Sequence, residues 1–492
     1  VWTPPAPGAR ALRIPDPPLA SAPHSPHSRA DVLTRVVTAR PPGSKSLTNR
    51  AVLLAALADG TSTLHNPLLD ADDANVMREA IAALGAKPTI RGSDLIIQGV
   101  AGRWSSPHTT TLTLNNAGTA VRFLAAAAWL ARAPVTIDGS PRMRQRPIAE
   151  LADLLRALDC SITYHAADGF PPLTINPPAT GPTGSRTLDV GPTQSGQFIS
   201  ALLLAAAFVK GGLTLRATQG LTSASYIEMT LALLAKLGAQ VQSSLGMRVI
   251  RVGPPPDRAG LAPFDLDIEP DASGATYLWA AGMLRPGLTV LVPGLRPSQD
   301  VDDHPTPSSA PASAPSSDHL ARSLQGDANF VLLLQRMGAT VQVSDAGTSV
   351  AAPHDGVIHA IEADMADMPD AAMTLAVLAS RANAPTLLRG VRTLRVKETD
   401  RIAALTTELA KVGTRIDSPF EGDPDALLIT PGPDHLNPVE FHTYDDHRMA
   451  MALSLLGLVR PGVTILDPWC VAKTYPSFWT HFASLANFTA PH

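Results

Sequence analysis

The stretch Pro41-Pro42-Gly43-Ser44-Lys45-Ser46-Leu47-Thr48-Asn49-Arg50 sets a glycine turn, a lysine, hydroxyls and an arginine before an apolar run, Ala51 to Ala58, that reads as a helix. A helix start leaves backbone N–H groups free and carries the positive end of the helix dipole. With Lys45 and Arg50 added, such an end suits a phosphate or a carboxylate. Alone, the stretch reads equally as a capped helix start with two solvated cations. It is not a P-loop: G-x-x-x-x-G-K-[ST] needs a glycine directly before the lysine, and Ser44 stands there.

Similar polar signals precede other apolar helical runs. They are Asn115–Arg122, Gly191–Gln197, Thr222–Tyr226 and Glu269–Gly274. Each taken singly is an ordinary N-cap; together they matter if the fold makes them converge. Cations are concentrated too. Arg142, Arg144 and Arg146 fall within five residues, Arg395 to Arg401 mixes Arg, Lys and acids, Asp445-Asp446-His447-Arg448 leads into an apolar run, and Lys473 precedes Thr474-Tyr475-Pro476. In a chain only 17% charged, these clusters suggest a substrate with several negative charges. Solvated faces and salt bridges are the plainer reading, favoured for Arg144. Asp370 heads a very apolar helix, where an acid is either a cap or a poised base.

Composition narrows the classes. The 492 residues suffice for two or three domains, and a net charge of −4 offers no broad basic surface for nucleic acid. Cys160 and Cys470 form no metal-ligand spacing and no disulfide framework, so a reduced, cytoplasmic setting fits. The longest apolar runs, Phe123–Leu130 and Phe198–Val209, are too short to span a bilayer and read as buried helices. Small-molecule substrates, no membrane or nucleic-acid partner and a monomer are expected.

The elements that must position these residues recur. Helical patterns end in Leu84-Gly85-Ala86, Leu158-Asp159-Cys160, Leu237-Gly238-Ala239, Met337-Gly338-Ala339 and Val412-Gly413-Thr414, and a strand follows. The middle residue supplies a left-handed helix end. The steps between them are 74, 79, 100 and 75 residues. Removing the Pro/Ser/Asp-rich insert 298–323 brings the long step to 74, and the same step from Gly413 reaches Asn487. Six α/β units of about 75 residues therefore tile the chain, most simply as three plus three. Residues 1–30 read as an unstructured leader, and residues 31–40 as a strand.

The motifs PGSKSLTNRA, NAGTAVR, PRMRQRPI, QSGQF, SASYI, EPDAS, MPDAAMT, RVKETDRI, DDHRMAM and AKTYP stand here in an order that resembles the EPSP synthase family of enolpyruvyl transferases, over residues 32–490. The resemblance implies a two-domain inside-out α/β barrel of six βαβαββ repeats, three per domain. The domains would be 44–268 and 31–43 with 269–492, with crossovers near Gly43 and Glu269. It implies transfer of the enolpyruvyl group of phosphoenolpyruvate to the 5-hydroxyl of shikimate 3-phosphate, releasing phosphate, with no metal or organic cofactor. Lys45, Ser46, Arg50, Ser195, Gly196, Gln197, Ser223, Tyr226 and Thr393 would then hold the shikimate. Lys45, Gly118, Arg122, Arg142, Gln197, Arg401, Arg448 and Lys473 would receive phosphoenolpyruvate. Asp370 would be the base, with Lys397 beside it, and Glu398 would move the proton at the methylene carbon.

Departures from the family are Gly196 and Thr393, where serine and asparagine are common, Phe123 after Arg122, and the insert. One rival is the sister transferase acting on UDP-N-acetylglucosamine, which uses a loop cysteine; Cys160 and Cys470 lie in the wrong contexts. A second is an inactive repeat scaffold, against which the charged residues stand intact. With cations in both halves serving one cleft, two positive walls face each other, and closure would be linked to binding of a dianion.

Overall fold

Five of the six units have the pattern βαβαββ, and the sixth lacks the closing hairpin among the described residues. Strand Thr110–Thr113 leads into helix Gly118–Ala127, which returns as the parallel strand Val135–Asp138. Helix Ala149–Arg156 follows, then the hairpin strands Ser161–Tyr164 and Leu173–Asn176, the second pairing antiparallel with Val135–Asp138. The units opening at strands Arg186–Val190 and Glu362–Asp364 have the same sheet order. This is a computed structural model, and it describes residues 4–6, 8–17, 35–299, 322–419 and 425–487.

The helices divide by burial. Gly118–Ala127, Ala272–Leu284, Ala372–Ala379 and His447–Ser454 are buried along their whole length. Lys45–Leu57 and Gly196–Ala206 are nearly so. A helix apolar all round belongs inside, and these six lie within the sheets. The second helix of each unit, such as Asp72–Ala83, Ala149–Arg156 and Arg401–Ala410, buries one face only. The buried side chains form two large cores, one drawn from residues 47–268 and one from residues 12–39 with 272–485. No helix among the described residues is long and apolar enough to cross a membrane.

The recurring helix ends share one hydrogen bond. Ala86 N donates to Ile81 O, Cys160 N to Leu155 O, Ala239 N to Leu234 O, Ala339 N to Leu334 O and Thr414 N to Leu409 O, all at 2.9–3.1 Å. This six-to-one closure needs a left-handed residue, and Gly85, Asp159, Gly238, Gly338 and Gly413 all have positive φ. Asn487 does not share it, with φ −74°, although its helix does end at Ala486.

Two units take their first strand from a distant part of the sequence, reached through a crossing of the chain. Arg35–Thr38 pairs parallel with Leu288–Pro293, and Asp265–Asp267 pairs parallel with Thr61–His65. The connections pass each other where Gly43 faces Pro270. There Ser44 N donates to Glu269 O, and Asp271 N to Pro42 O, both at 2.8 Å. A Cβ on Gly43 would sit 2.1 Å from Asn66 O, so the crossing is too close for any side chain.

The sixth sheet corrects the expectation of an unstructured leader. Its parallel strands Val439–Phe441 and Val463–Leu466 are joined by Ala11–Arg13, antiparallel to the latter. Leu12 and Ile14 turn into the core at 6% and 1% exposure, and Asp16 accepts from Gly462 N. Two buried apolar side chains and an edge needing a third strand outweigh the proline-rich composition. Leader residues 18–30 and insert residues 300–321 lie outside the described residues; the insert's ends are tied down, Ser298 N donating to Asn329 Oδ1 and Ser323 Oγ to Glu269.

Candidate active site

Five of the six inner helices bring their N-termini to one cleft between the halves. Lys45 and Gly118 open two of them, Gly196 a third, Asp370 precedes a fourth and Arg448 stands second in a fifth. All five residues line one cavity of about 660 Å³ that opens to solvent. The helix dipoles and free N–H groups therefore add to the cations in favouring an anion.

Two carboxylates sit among the cations. Asp370 accepts from Arg448 at 2.9 Å, from Arg401 at 3.2 Å and from the Tyr226 hydroxyl at 3.2 Å, with Lys397 Nζ at 3.4 Å. Glu398 meets Arg401 at 3.0 Å and Lys473 Nζ at 3.2 Å. Burial pushes each carboxyl up, but the cations outweigh it. Arg448, Lys397 and Arg401 hold Asp370, and Lys473, Arg401 and Arg146 hold Glu398, well below the usual carboxylate range. Both are ionised. Arg401 touches both and also Asp446, at 2.8 and 3.2 Å, so one buried guanidinium spaces the two carboxylates apart. Tyr226 is pushed well up by burial, then by Asp327 and Asp370, and keeps its proton as a donor.

Most of the residues expected from sequence converge. Lys45, Ser46, Arg50, Ser195, Gly196, Gln197 and Ser223 line the cavity with Tyr226, Lys397 and Arg401. Arg50 is largely spent on the fold. It donates to Thr230, Ser46 O, Tyr226 O and Ser200, lies over the Phe123 ring at 5.2 Å, and burial lowers its pKa to about 10. Gly196 has a local reason: a Cβ there would lie 2.5 Å from Thr222 O. Thr393 and Arg122 line an adjoining cavity of about 440 Å³ that shares Arg146, Ser195 and Lys397 with the first. Arg122 is tied to Gly118 O and Pro147 O. Arg144 pairs with Asp138 away from the cleft.

Arg142 differs from expectation. It is absent from the cavity lining and gives its guanidinium to Glu398 O and Lys397 O, both at 3.1 Å. Arg146 is the arginine of this run that lines the cavity. Its NH1 donates to Asn116 O and Oδ1, and its Nε has no partner among the described residues. Pro147 explains the difference: it forces extended backbone on the residue before it, and Arg146 has φ −95° and ψ 124°. Gly118 makes room, since a Cβ there would lie 2.6 Å from the Arg146 guanidinium. Asp73, 3.4 Å from Lys45, and Asp446 were also not singled out from sequence. Each reads there as one acid in an acidic run, and only the fold shows which acid faces a cation.

The walls of the cleft are not simply positive, because the two ionised carboxylates interleave with the cations. The halves also meet directly. Besides Arg142, Lys473 Nζ donates to Asn116 O at 3.1 Å, Ser225 Oγ to Asp367 O, and Tyr226 to Asp370. The arrangement offers fixed donors for an anion at several points and two ionised carboxylates, the kind of group that can take up a proton.

The chain matches the family model for EPSP synthase (3-phosphoshikimate 1-carboxyvinyltransferase) over residues 31–302 and 317–482, the gap falling within the insert. The proteins named 3-phosphoshikimate 1-carboxyvinyltransferase in Shewanella oneidensis and Shewanella denitrificans are 40% and 41% identical over 446 and 448 residues. Those alignments take in 90% and 91% of this chain and 95% of each relative. Among solved structures, an EPSP synthase from Acinetobacter baumannii superposes with TM-score 0.68 at 21% identity, covering 93% of this chain and 96% of that one. The enolpyruvyl transferase NikO from Streptomyces tendae superposes with TM-score 0.64 at 21% identity, over 92% and 95% of the two chains. These likenesses show the enolpyruvyl transferase fold.

Proposed function

The chain belongs to the EPSP synthase family, and we infer that it transfers the enolpyruvyl group of phosphoenolpyruvate to the 5-hydroxyl of shikimate 3-phosphate, releasing phosphate. The observation that carries this is the pair of ionised carboxylates spaced by Arg401 in a cation-lined cleft. Each substrate brings a phosphate and a carboxylate, which matches the surplus of fixed donors.

The residue roles are our proposal. Lys45, Ser195, Ser223 and Tyr226 hold shikimate 3-phosphate; Arg146, Arg401, Arg448 and Lys473 receive phosphoenolpyruvate. Asp370 takes the proton of the 5-hydroxyl as its oxygen attacks C2 of phosphoenolpyruvate. A proton from the Lys473 ammonium, relayed through the Glu398 carboxylate 3.2 Å away, turns the methylene into a methyl. The resulting tetrahedral adduct then collapses: the C2–O bond to phosphate breaks, the methyl gives a proton back through Glu398 to Lys473, and the Asp370 proton leaves with the phosphate. Fixed cations hold the charge throughout.

The division into 44–268 and 31–43 with 269–492 is likewise proposed, supported by the two cores and the crossing at Gly43 and Pro270. A monomer acting in the cytoplasm fits this reading. The sister activity has no support in the site: Cys160 and Cys470 do not line the cavity, and burial pushes both thiols up to about 12. Phosphate release tests the assignment. It should require phosphoenolpyruvate and shikimate 3-phosphate together, and release with UDP-N-acetylglucosamine in place of the shikimate would overturn it.

A further inference from the structure

Helix Arg401–Ala410 carries two charged side chains seven residues apart, and so on one face. Arg401 and Glu408 are 1% and 0% exposed. Arg401 lines the cleft, while Glu408 does not. Glu408 instead accepts from the Tyr444 hydroxyl at 2.7 Å, from His442 N at 3.0 Å and from Lys411 Nζ at 2.6 Å. Lys411 reaches on to Glu440 O at 2.9 Å. Every partner except Lys411 itself lies on the run from Glu440 to Tyr444, just ahead of helix His447–Ser454.

That run makes an unusual bend. Tyr444 and Asp445 are consecutive non-glycine residues with φ 55° and 54°, a conformation that a bulky side chain adopts only when its surroundings impose it. Asp446 then caps the helix through Arg448 N at 2.9 Å, and its carboxylate is gripped by Arg401. One helix thus holds both sides of the bend, Glu408 on the near side and Arg401 on the far side. Arg448 follows two residues later and reaches Asp370 at 2.9 Å.

We propose that Glu408 is a positioning residue: with Tyr444 it fixes the bend that aims Arg448 into the cleft, and so sets the affinity for phosphoenolpyruvate without touching it. The inference rests on the reading that Arg448 receives phosphoenolpyruvate. A packing role for Tyr444 explains less. The residue is 41% exposed, yet its hydroxyl turns in to a buried carboxylate. Burial and Glu408 push that hydroxyl up to about 12, so it stays a donor.

Steady-state kinetics of the full chain decide the matter, with both substrates varied, for Glu408→Gln, Tyr444→Phe and Arg448→Lys. Glu408→Gln should raise KM for phosphoenolpyruvate about tenfold while KM for shikimate 3-phosphate stays within about twofold. Tyr444→Phe should shift the same ratio by about threefold, with an unchanged melting temperature. A fold-wide role would instead lower the melting temperature and move both constants alike, and would overturn the proposal. So would an unchanged ratio in both variants while Arg448→Lys raises KM for phosphoenolpyruvate. If Arg448→Lys leaves that constant alone, the reading of Arg448 fails first. Should Glu408→Gln not fold, Tyr444→Phe decides alone, because it removes a single hydroxyl from a partly exposed ring.

Discussion

Asp370 and Glu398 are the same kind of group a guanidinium apart, and their neighbours give them different work. Asp370 faces Tyr226, on the side of the cleft proposed above for the shikimate; Glu398 faces Lys473. Asp370→Asn keeps the shape and loses the proton acceptor, so kcat should fall about 10²-fold or more with the fold intact; turnover near wild type in a phosphate-release assay would reject the role. Asp327 offers a pH test of the surroundings. It is buried, bonds Ser273, and its Oδ1 has no partner among the described residues. Burial, then Asp370, pushes its pKa up to about 7. A raised carboxyl costs stability where the unfolded chain is ionised and the folded one is not, so the cost grows from about pH 4 to about pH 7. Asp327→Asn should therefore raise the melting temperature at pH 8 and leave it nearly unchanged at pH 4; the same gain at both would exclude titration as its cause. Charge in the site was legible from sequence, since unlike the solvated Arg144 it stood beside helix starts. Which arginine of Arg142 to Arg146 enters the cavity was not, because backbone direction decides it, and only Pro147 hinted at that.

At the scale of elements, the repeat was legible through its helix ends, where one left-handed residue recurs at a regular spacing. Central strands such as Val135–Asp138 were legible too, as short apolar runs. Outer hairpin strands such as Lys87–Arg91 and Gln240–Ser243 were not, because most of their side chains meet water and leave no hydrophobic pattern. The leader strand was hidden for another reason: three residues cannot show a period. It borders the turn that carries Lys473. Asp467 N donates to Arg10 O at 2.7 Å, and Trp469 Nε1 donates to Ala6 O. Deleting residues 1–17 should remove about 3–6 kcal/mol of burial by Leu12 and Ile14, an upper figure. Thermal melting should show the loss, and an unchanged melting temperature would mean that the strand contributes no net stability.

At the scale of the molecule, the two proposed domains connect at the crossing beside Gly43 and Pro270, and among the described residues hydrogen bonds also reach across the cleft. Arg142 supplies two of these and lines no part of the main cavity. Arg142→Ala should therefore enlarge the radius of gyration in small-angle scattering and lower kcat/KM about tenfold through misplacement of Glu398. An unchanged scattering curve with normal kinetics would make the contact incidental. The pairing of Ala11–Arg13 with Thr464–Leu466 also bears on how the molecule is made. A ribosome releases the first strand long before its partner exists, so the sixth sheet closes only when the last unit emerges. Residues 44–268 can assemble earlier, their first sheet closing once the strand Asp265–Asp267 at the end of that segment appears. The later half must wait with an open sheet edge, and pairing strands so far apart in sequence is a slow step. The seam between Ala11–Arg13 and Val463–Leu466 is thus among the last contacts of the described fold that synthesis permits.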